Sequence, residues 1–290
     1  MRARLKKALI AAATTVSVAA ALVAGTGSAN SAQAAGPEAF AISSDGKLMA
    51  YFNTATPQVL NWVRLVQGLT CGETYLIGID FRVQDGLLYG VGNKGCIYTI
   101  STPPKTPDVV VTKVSQLTIP LYGKDFGVDF NPAADRLRVI SDNGQNLRHN
   151  IGGTTVEDTA LTTPPAPGRT HGVTAAAYTN NDLNPDTATT LFDIGTATDQ
   201  VLIQAPANNG LLSPTGALGV DAGPIAGFDI FSDLTNGKTT SVSAFAVLNP
   251  AAGPPPSTLY TVNLLTGAAT KVGDFPLPIG DIAVALDTAY

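Results

Sequence analysis

Beyond Ala35 the chain is a succession of short apolar runs set between clusters of Gly, Pro, Asn and Asp, with 29 Gly and 20 Pro in all. Runs such as LLYGV, CIYTI and SAFAV are rich in β-branched and aromatic side chains, which fit a pleated, half-buried surface, so each is expected to be a strand. Sustained helical periodicity is absent. One segment, VLNWVRLVQGL at 59–69, carries polar Asn61, Arg64 and Gln67 at every third position, as one face of a helix would. Its place in a repeat argues for a strand instead.

The repeat opens with Gly-apolar-Asp-apolar: Gly78-Ile79-Asp80-Phe81, Gly127-Val128-Asp129-Phe130 and Gly227-Phe228-Asp229-Ile230, with weaker copies at Gly172 (GVTAAAY) and Gly280 (GDIAVAL). Successive opening glycines are 49, 45, 55 and 53 residues apart. A second strand follows each of the first four openings (DGLLYGV, DRLRVIS, TTLFDIG, SVSAFAV), then a third (CIYTI, QNLRHNI, VLIQAP, TLYTVNL). An outer segment precedes the next opening (VTKVSQLTI, TVEDTAL, TGALGV, TKVGDFPL). Four strands at a period near 50 is the spacing of β-propeller blades.

The chain ends complement each other. The last opening, from Gly280, has no partner strands after it, and EAFAIS, KLMAYFN and VLNWVRL near the start have no opening strand before them. Joined, they make one blade and leave no long exposed edge. The expected fold is therefore an all-β propeller of four-stranded blades, five by this count, closed by pairing of its N- and C-terminal strands. The stretches 212–230 and 231–258 have the length to hold a sixth. Alternation puts glycine and aspartate of an opening strand on one side, where glycine admits close approach and a buried aspartate accepts backbone hydrogen bonds.

Composition narrows the setting. MRARLKK, the apolar run Ala8–Ala24 and the small-residue site Ala32-Gln33-Ala34 read as a secretory signal peptide over 1–34, leaving one domain over 35–290. Without Arg2, Arg4, Lys6 and Lys7 the chain carries 13 basic against 22 acidic residues, a net charge of −9. Such a surface repels phosphate backbones, so nucleic acid is not an expected partner, and no second apolar run would hold the cleaved chain in a membrane. In an oxidising compartment the two cysteines, Cys71 and Cys96, read as a disulfide rather than a metal site, two buried thiols being the alternative.

GVGNKG at 90–95 matches the dinucleotide fingerprint, but strand-like runs flank it and no helix follows, so it is read as a hairpin turn. Only His149 and His171 occur, with neither G-x-S-x-G nor H-E-x-x-H, and no nucleophile or zinc chemistry is legible.

The segments DFNPAADRLRVISDNGQNLR (129–148), AYTN (177–180), QAPANNGLL (204–212), GFDI (227–230) and LYTVNLLTGAA (259–269) resemble the bacterial family called domain of unknown function 4394, over nearly the whole of the chain after residue 34. Val83 and Phe192 stand where proline and tyrosine are frequent. The resemblance implies a secreted propeller-like domain and no particular reaction.

The densest polar cluster surrounds the turn SDNG. Arg136 and Arg138 point one way on a strand and, with Asn146 and Arg148, form a candidate cationic edge for an anionic or sugar ligand; the alternative is that they cross to neighbouring blades and pair with the repeated aspartates. Asp80, Asp129 and Asp229 share one register, and facing a central channel they would form an acidic ring able to hold calcium, a structural role being the alternative. Asp142-Asn143-Gly144 and Asn208-Asn209-Gly210 read as turns, and Tyr75, Tyr89, Tyr98, Tyr122 and Tyr178 as packing residues. The leading expectation is a secreted, monomeric, non-enzymatic propeller without a cofactor that binds a ligand or extracellular protein at one rim. The alternative is a calcium-assisted hydrolase or lactonase with carboxylates in the channel and the metal as Lewis acid.

Overall fold

Among the described residues, twenty strands and one 3-10 turn at Ala207–Asn209 make up the regular structure. They are seen in a computed structural model that describes residues 36–252 and 256–287, all within one of the two units into which the chain divides, Ala34–Tyr290. The expected signal peptide lies outside the described residues.

The strands run in chain order. β1 (Glu38–Ser43), β2 (Leu48–Asn53) and β3 (Leu60–Gln67) come first, followed by β4 (Leu76–Arg82), β5 (Leu87–Gly92), β6 (Cys96–Ile100) and β7 (Val109–Gln116). β8 (Phe126–Asn131), β9 (Arg136–Ser141), β10 (Asn146–His149) and β11 (Thr155–Glu157) form the next group. Then come β12 (Val173–Tyr178), β13 (Leu191–Gly195), β14 (Gln200–Gln204) and β15 (Leu212–Ala217). The last are β16 (Ala222–Thr235), β17 (Lys238–Pro250), β18 (Thr258–Val262), β19 (Ala269–Asp274) and β20 (Ile279–Val284). The segment at 59–69 is indeed a strand, β3, whose residues alternate between half-buried and exposed, the pattern of an outer strand.

Three sheets have four strands each: β8 to β11, β12 to β15 and β16 to β19, every one a meander. The fourth sheet has eight, in the order β20-β1-β2-β3-β7-β6-β5-β4. It consists of two such meanders, joined where Val66 and Gln67 of β3 run parallel to Val109 and Val110 of β7. The first and last strands meet within it: β20 lies antiparallel to β1, with Phe40 opposite Ala283 and Ala41 opposite Ile282.

The strands that open each meander pack in a cycle, β4 on β8, β8 on β12, β12 on β16, β16 on β20 and β20 on β4. Five apolar clusters fill the spaces between neighbouring meanders: Ile79 and Phe81 meet Phe40, Phe130 meets Tyr89, Tyr178 meets Ile140, Phe228 meets Phe192, and Ile282 meets Phe245. Close approach explains the repeated glycine. A Cβ on Gly127 would lie 2.6 Å from the Ala176 nitrogen, and one on Gly227 would lie 2.6 Å from the Asp281 Cα.

Two expectations are corrected. Most of the length between 212 and 258 beyond β15 goes into one extended hairpin rather than into strands of a sixth blade, since β16 has 14 residues and β17 has 13, turned by Asn236-Gly237 with both φ positive, at 53° and 71°. The weaker repeat copies are also shifted in register. The amides of Phe130, Tyr178 and Val284 donate the same inter-strand hydrogen bond to an aspartate of the preceding opening strand, which aligns Asp129 with Ala177 and Ala283, and Gly127 with Ala175 and Asp281. GVGNKG closes the β5–β6 hairpin, with the Gly95 amide donating to the Gly92 carbonyl at 2.9 Å.

Cys71 and Cys96 form a disulfide that ties the β3–β4 connection to the start of β6. Among the described residues no helix is long and apolar enough to cross a membrane.

Candidate functional site

Three polar or partly polar assemblies arise from this framework, and each draws on candidates named above. The first lies among the opening strands. Asp80 accepts the amides of Phe81 (2.6 Å) and Phe130 (2.7 Å), Asp129 accepts that of Tyr178 (3.0 Å), and Asp229 accepts those of Ile230 (2.6 Å) and Val284 (2.5 Å). Asp281, in the glycine position of its strand, accepts the amide of Ile79 at 2.9 Å. Each carboxyl thus bridges to the next opening strand, and all four are buried. One ligand atom from each of Asp80, Asp129 and Asp229 lies within 4.8 Å of the others, close enough for all three to touch one cation.

Burial, and after it the charge of neighbouring carboxylates, pushes Asp80 and Asp129 well above the ordinary carboxylate range. Burial raises Asp281 in the same direction and raises Asp229 to about 7. The energetics favour protonated carboxyls that hold amides, because several buried like charges cannot remain ionised together without a counter-ion.

The second assembly lies between the β8–β11 and β12–β15 sheets. Arg138 is buried there, donating to Tyr178 Oη (3.2 Å), Asn146 Oδ1 (2.7 Å), Asp158 Oδ2 (2.8 Å) and Asn208 Oδ1 (2.8 Å). Arg148, partly exposed, grips both oxygens of Asp158 at 2.9 Å. Arg136 donates to the backbone oxygens of Asp135 and Ala134. Of the candidate cationic edge, then, Arg138 and Asn146 face inward. Arg138 does cross to the next sheet, but its carboxylate partner is Asp158 rather than a repeated aspartate. Sequence reasoning missed Asp193 on β13, a fully buried carboxyl with neither oxygen hydrogen-bonded among the described residues. Burial pushes it well above its ordinary range, with Arg138 opposing the shift.

The third assembly is a cavity of about 870 Å³ where the connections after several opening strands converge. Its walls come from Val83–Gly86 after β4, Asn181–Asn184 after β12, the Leu234–Gly237 end of the long hairpin and Ala285–Asp287 after β20. One wall is a row of rings. Phe40, Tyr51 and Trp62 stand opposite one another on β1, β2 and β3. Phe40 lies 5.0 Å from Tyr51 and 5.8 Å from Phe81 between ring centres, and Tyr51 stacks 6.0 Å from Trp62. Phe40 and Phe81 are nearly covered, whereas Tyr51 and Trp62 are half-buried and present ring surface to the cavity.

Carboxylates complete the lining. Burial, with Glu38 beside it, raises the Tyr51 hydroxyl to about 12. Burial raises Asp182, but hydrogen bonds from the Thr239 hydroxyl and amide and the Asn184 amide outweigh it and hold the carboxyl below its ordinary value. Asp85 is matched by Arg82 at 2.5 Å. None of these lining residues was singled out in the sequence as a site. One signal was available: Phe40, Tyr51 and Trp62 recur at intervals of 11 residues, which puts three aromatics in register on consecutive meander strands.

Comparisons with known proteins give a family and distant likenesses. Hydrazine synthase of Kuenenia stuttgartiensis aligns at a TM-score of 0.38 and 11% identity, covering 70% of this chain and 51% of that one, so this chain spans about half its length. The major Malassezia sympodialis allergen Mala s 1 aligns at 0.40 and 14% identity, covering 82% of this chain and 68% of that one. No curated protein matches. A family model does match, over residues 48–283, and the chain belongs to the family described as Domain of unknown function (DUF4394).

Proposed function

We propose that the chain is a secreted five-bladed propeller that binds a small organic ligand in the aromatic-walled cavity at one mouth of the ring, without chemistry of its own. The cavity carries this reading. Its volume falls in the range of ligand sites, which combine apolar and aromatic walls with a few placed polar groups. The disulfide is in keeping with an oxidising, extracellular setting.

The single tryptophan makes the reading testable, because Trp62 lies in the cavity wall and is the only one in the chain. A chemically diverse set of small molecules, titrated against the purified protein, is expected to include members that change Trp62 emission saturably. Leu286→Arg, which places a bulky cation in the lining, is expected to abolish those responses while the unfolding midpoint stays within a few degrees of the parent's. If every compound leaves the emission unchanged, or the variant responds as the parent does, the reading falls.

A calcium-assisted hydrolase or lactonase would draw on Asp80, Asp129 and Asp229. Both oxygens of Asp80 and of Asp229 already hold backbone amides, and calcium takes 6–8 oxygen ligands. We assign these carboxyls a structural role, joining neighbouring blades.

A further inference from the structure

We infer that the ligand of the mouth cavity is an organic cation, a substituted ammonium whose apolar body lies on the aromatic row and whose charge faces the carboxylates. The inference rests on the cavity being the binding site.

Charge selects the class. Four carboxylates line the cavity, Glu38, Asp85, Asp182 and Asp287, and among the described residues no lysine, arginine or histidine lines it. Asp85 is neutralised by Arg82, at 2.5 Å. The donors that hold Asp182 are neutral: the Thr239 hydroxyl and amide at 2.6 and 2.9 Å and the Asn184 amide at 2.9 Å. Glu38 and Asp182 therefore give the wall a negative potential, and a partly enclosed cleft focuses it. An anionic ligand is repelled from such a space.

The rings distinguish an organic cation from a metal ion. A bare metal ion seeks several oxygen ligands and gains little from a wall built of Phe40, Tyr51, Trp62 and Phe81. Alkylammonium groups gain from both, because aromatic faces attract the diffuse positive charge and also cover the alkyl substituents. The molecule already shows such a contact at this wall. The Arg64 guanidinium lies 5.2 Å from the Trp62 ring centre, just outside the cavity lining.

Choline and its uncharged carbon isostere, 3,3-dimethylbutan-1-ol, isolate the charge, since they share shape and hydroxyl. Titrated against the purified protein with Trp62 emission as readout, choline is expected to act at concentrations at least about tenfold lower than the alcohol. Glu38→Gln, at an exposed position at the start of β1, is expected to narrow that difference. Added salt is expected to weaken choline and leave the alcohol unaffected. Equal responses to the two compounds would overturn the cationic class and leave the cavity as an apolar site. So would silence toward both while neutral sugars or other compounds of the diverse set still act. Silence toward every compound would remove the binding site itself.

Discussion

Four aspartates join opening strands whose side chains would otherwise meet as apolar and glycine surfaces. The glycines bring the backbones together, and the carboxyl oxygens of Asp80, Asp129, Asp229 and Asp281 satisfy amides on neighbouring strands. Their raised affinities for protons carry a stability consequence with a definite sign. Below the unfolded value near 3.8 both states hold the proton and the contribution is fully present. As pH rises further the unfolded chain releases it while the folded Asp229 retains it up to about 7, so stability falls across that window; Asp80, Asp129 and Asp281 act in the same direction. The loss is on the order of a few kcal/mol. Unfolding midpoints measured from pH 4 to 8 are expected to decline, and Asp129→Asn, which keeps an acceptor for Tyr178, to flatten the decline. Millimolar calcium is expected to leave the midpoint unchanged at pH 8. A rise in midpoint with calcium would instead assign these carboxyls to a metal.

At the scale of elements, the strands were legible because β-branched and aromatic runs separated by turn residues leave little else for the backbone to do. β3 was legible only through its position in the repeat, its three-residue polar spacing being that of a helix. The hairpin at 90–95 followed from its strand-like flanks. Register was less legible where the signature decayed. In β12 alanines fill the glycine and aspartate positions, and in β20 Asp281 moves into the glycine position, so counting from Gly172 and Gly280 misaligned both strands. The long β16–β17 hairpin was hidden for a different reason, since extra length in a hairpin resembles extra strands until pairing is known.

The disulfide belongs to this scale as well, fastening an exposed connection at Cys71 to a buried strand start at Cys96, 25 residues on. Cys71→Ser is expected to lower the stability by roughly 3 kcal/mol on the chain-entropy account. Urea unfolding of the variant beside the parent checks this, and a change within error would mean that the neighbouring contacts already close the loop.

At the scale of the molecule, the pairing of the first strand with the last was legible from the incomplete repeat at each end, and the cavity was not. Its walls come from connections more than 200 residues apart in sequence, Glu38 at one end and Asp287 at the other, and only closure brings them together. The candidate edge of Arg136, Arg138, Asn146 and Arg148 was chosen for local charge density. Burial turned half of it inward, toward Tyr178 and Asn208, a fate that local sequence does not reveal. The pairing of β20 with β1 also brings Ala285, Leu286 and Asp287 to the cavity, so the binding proposed for it depends on that pairing.

Amide hydrogen exchange on β1 and β20 tests that joining most directly. The amides paired between Ala39–Ile42 and Asp281–Val284 are expected to exchange as slowly as those of the central strands β5 and β9, opening only with the whole fold. Exchange of the β20 amides at the rate of an unstructured tail, while β5 and β9 remain protected, would contradict a ring shut by its own ends.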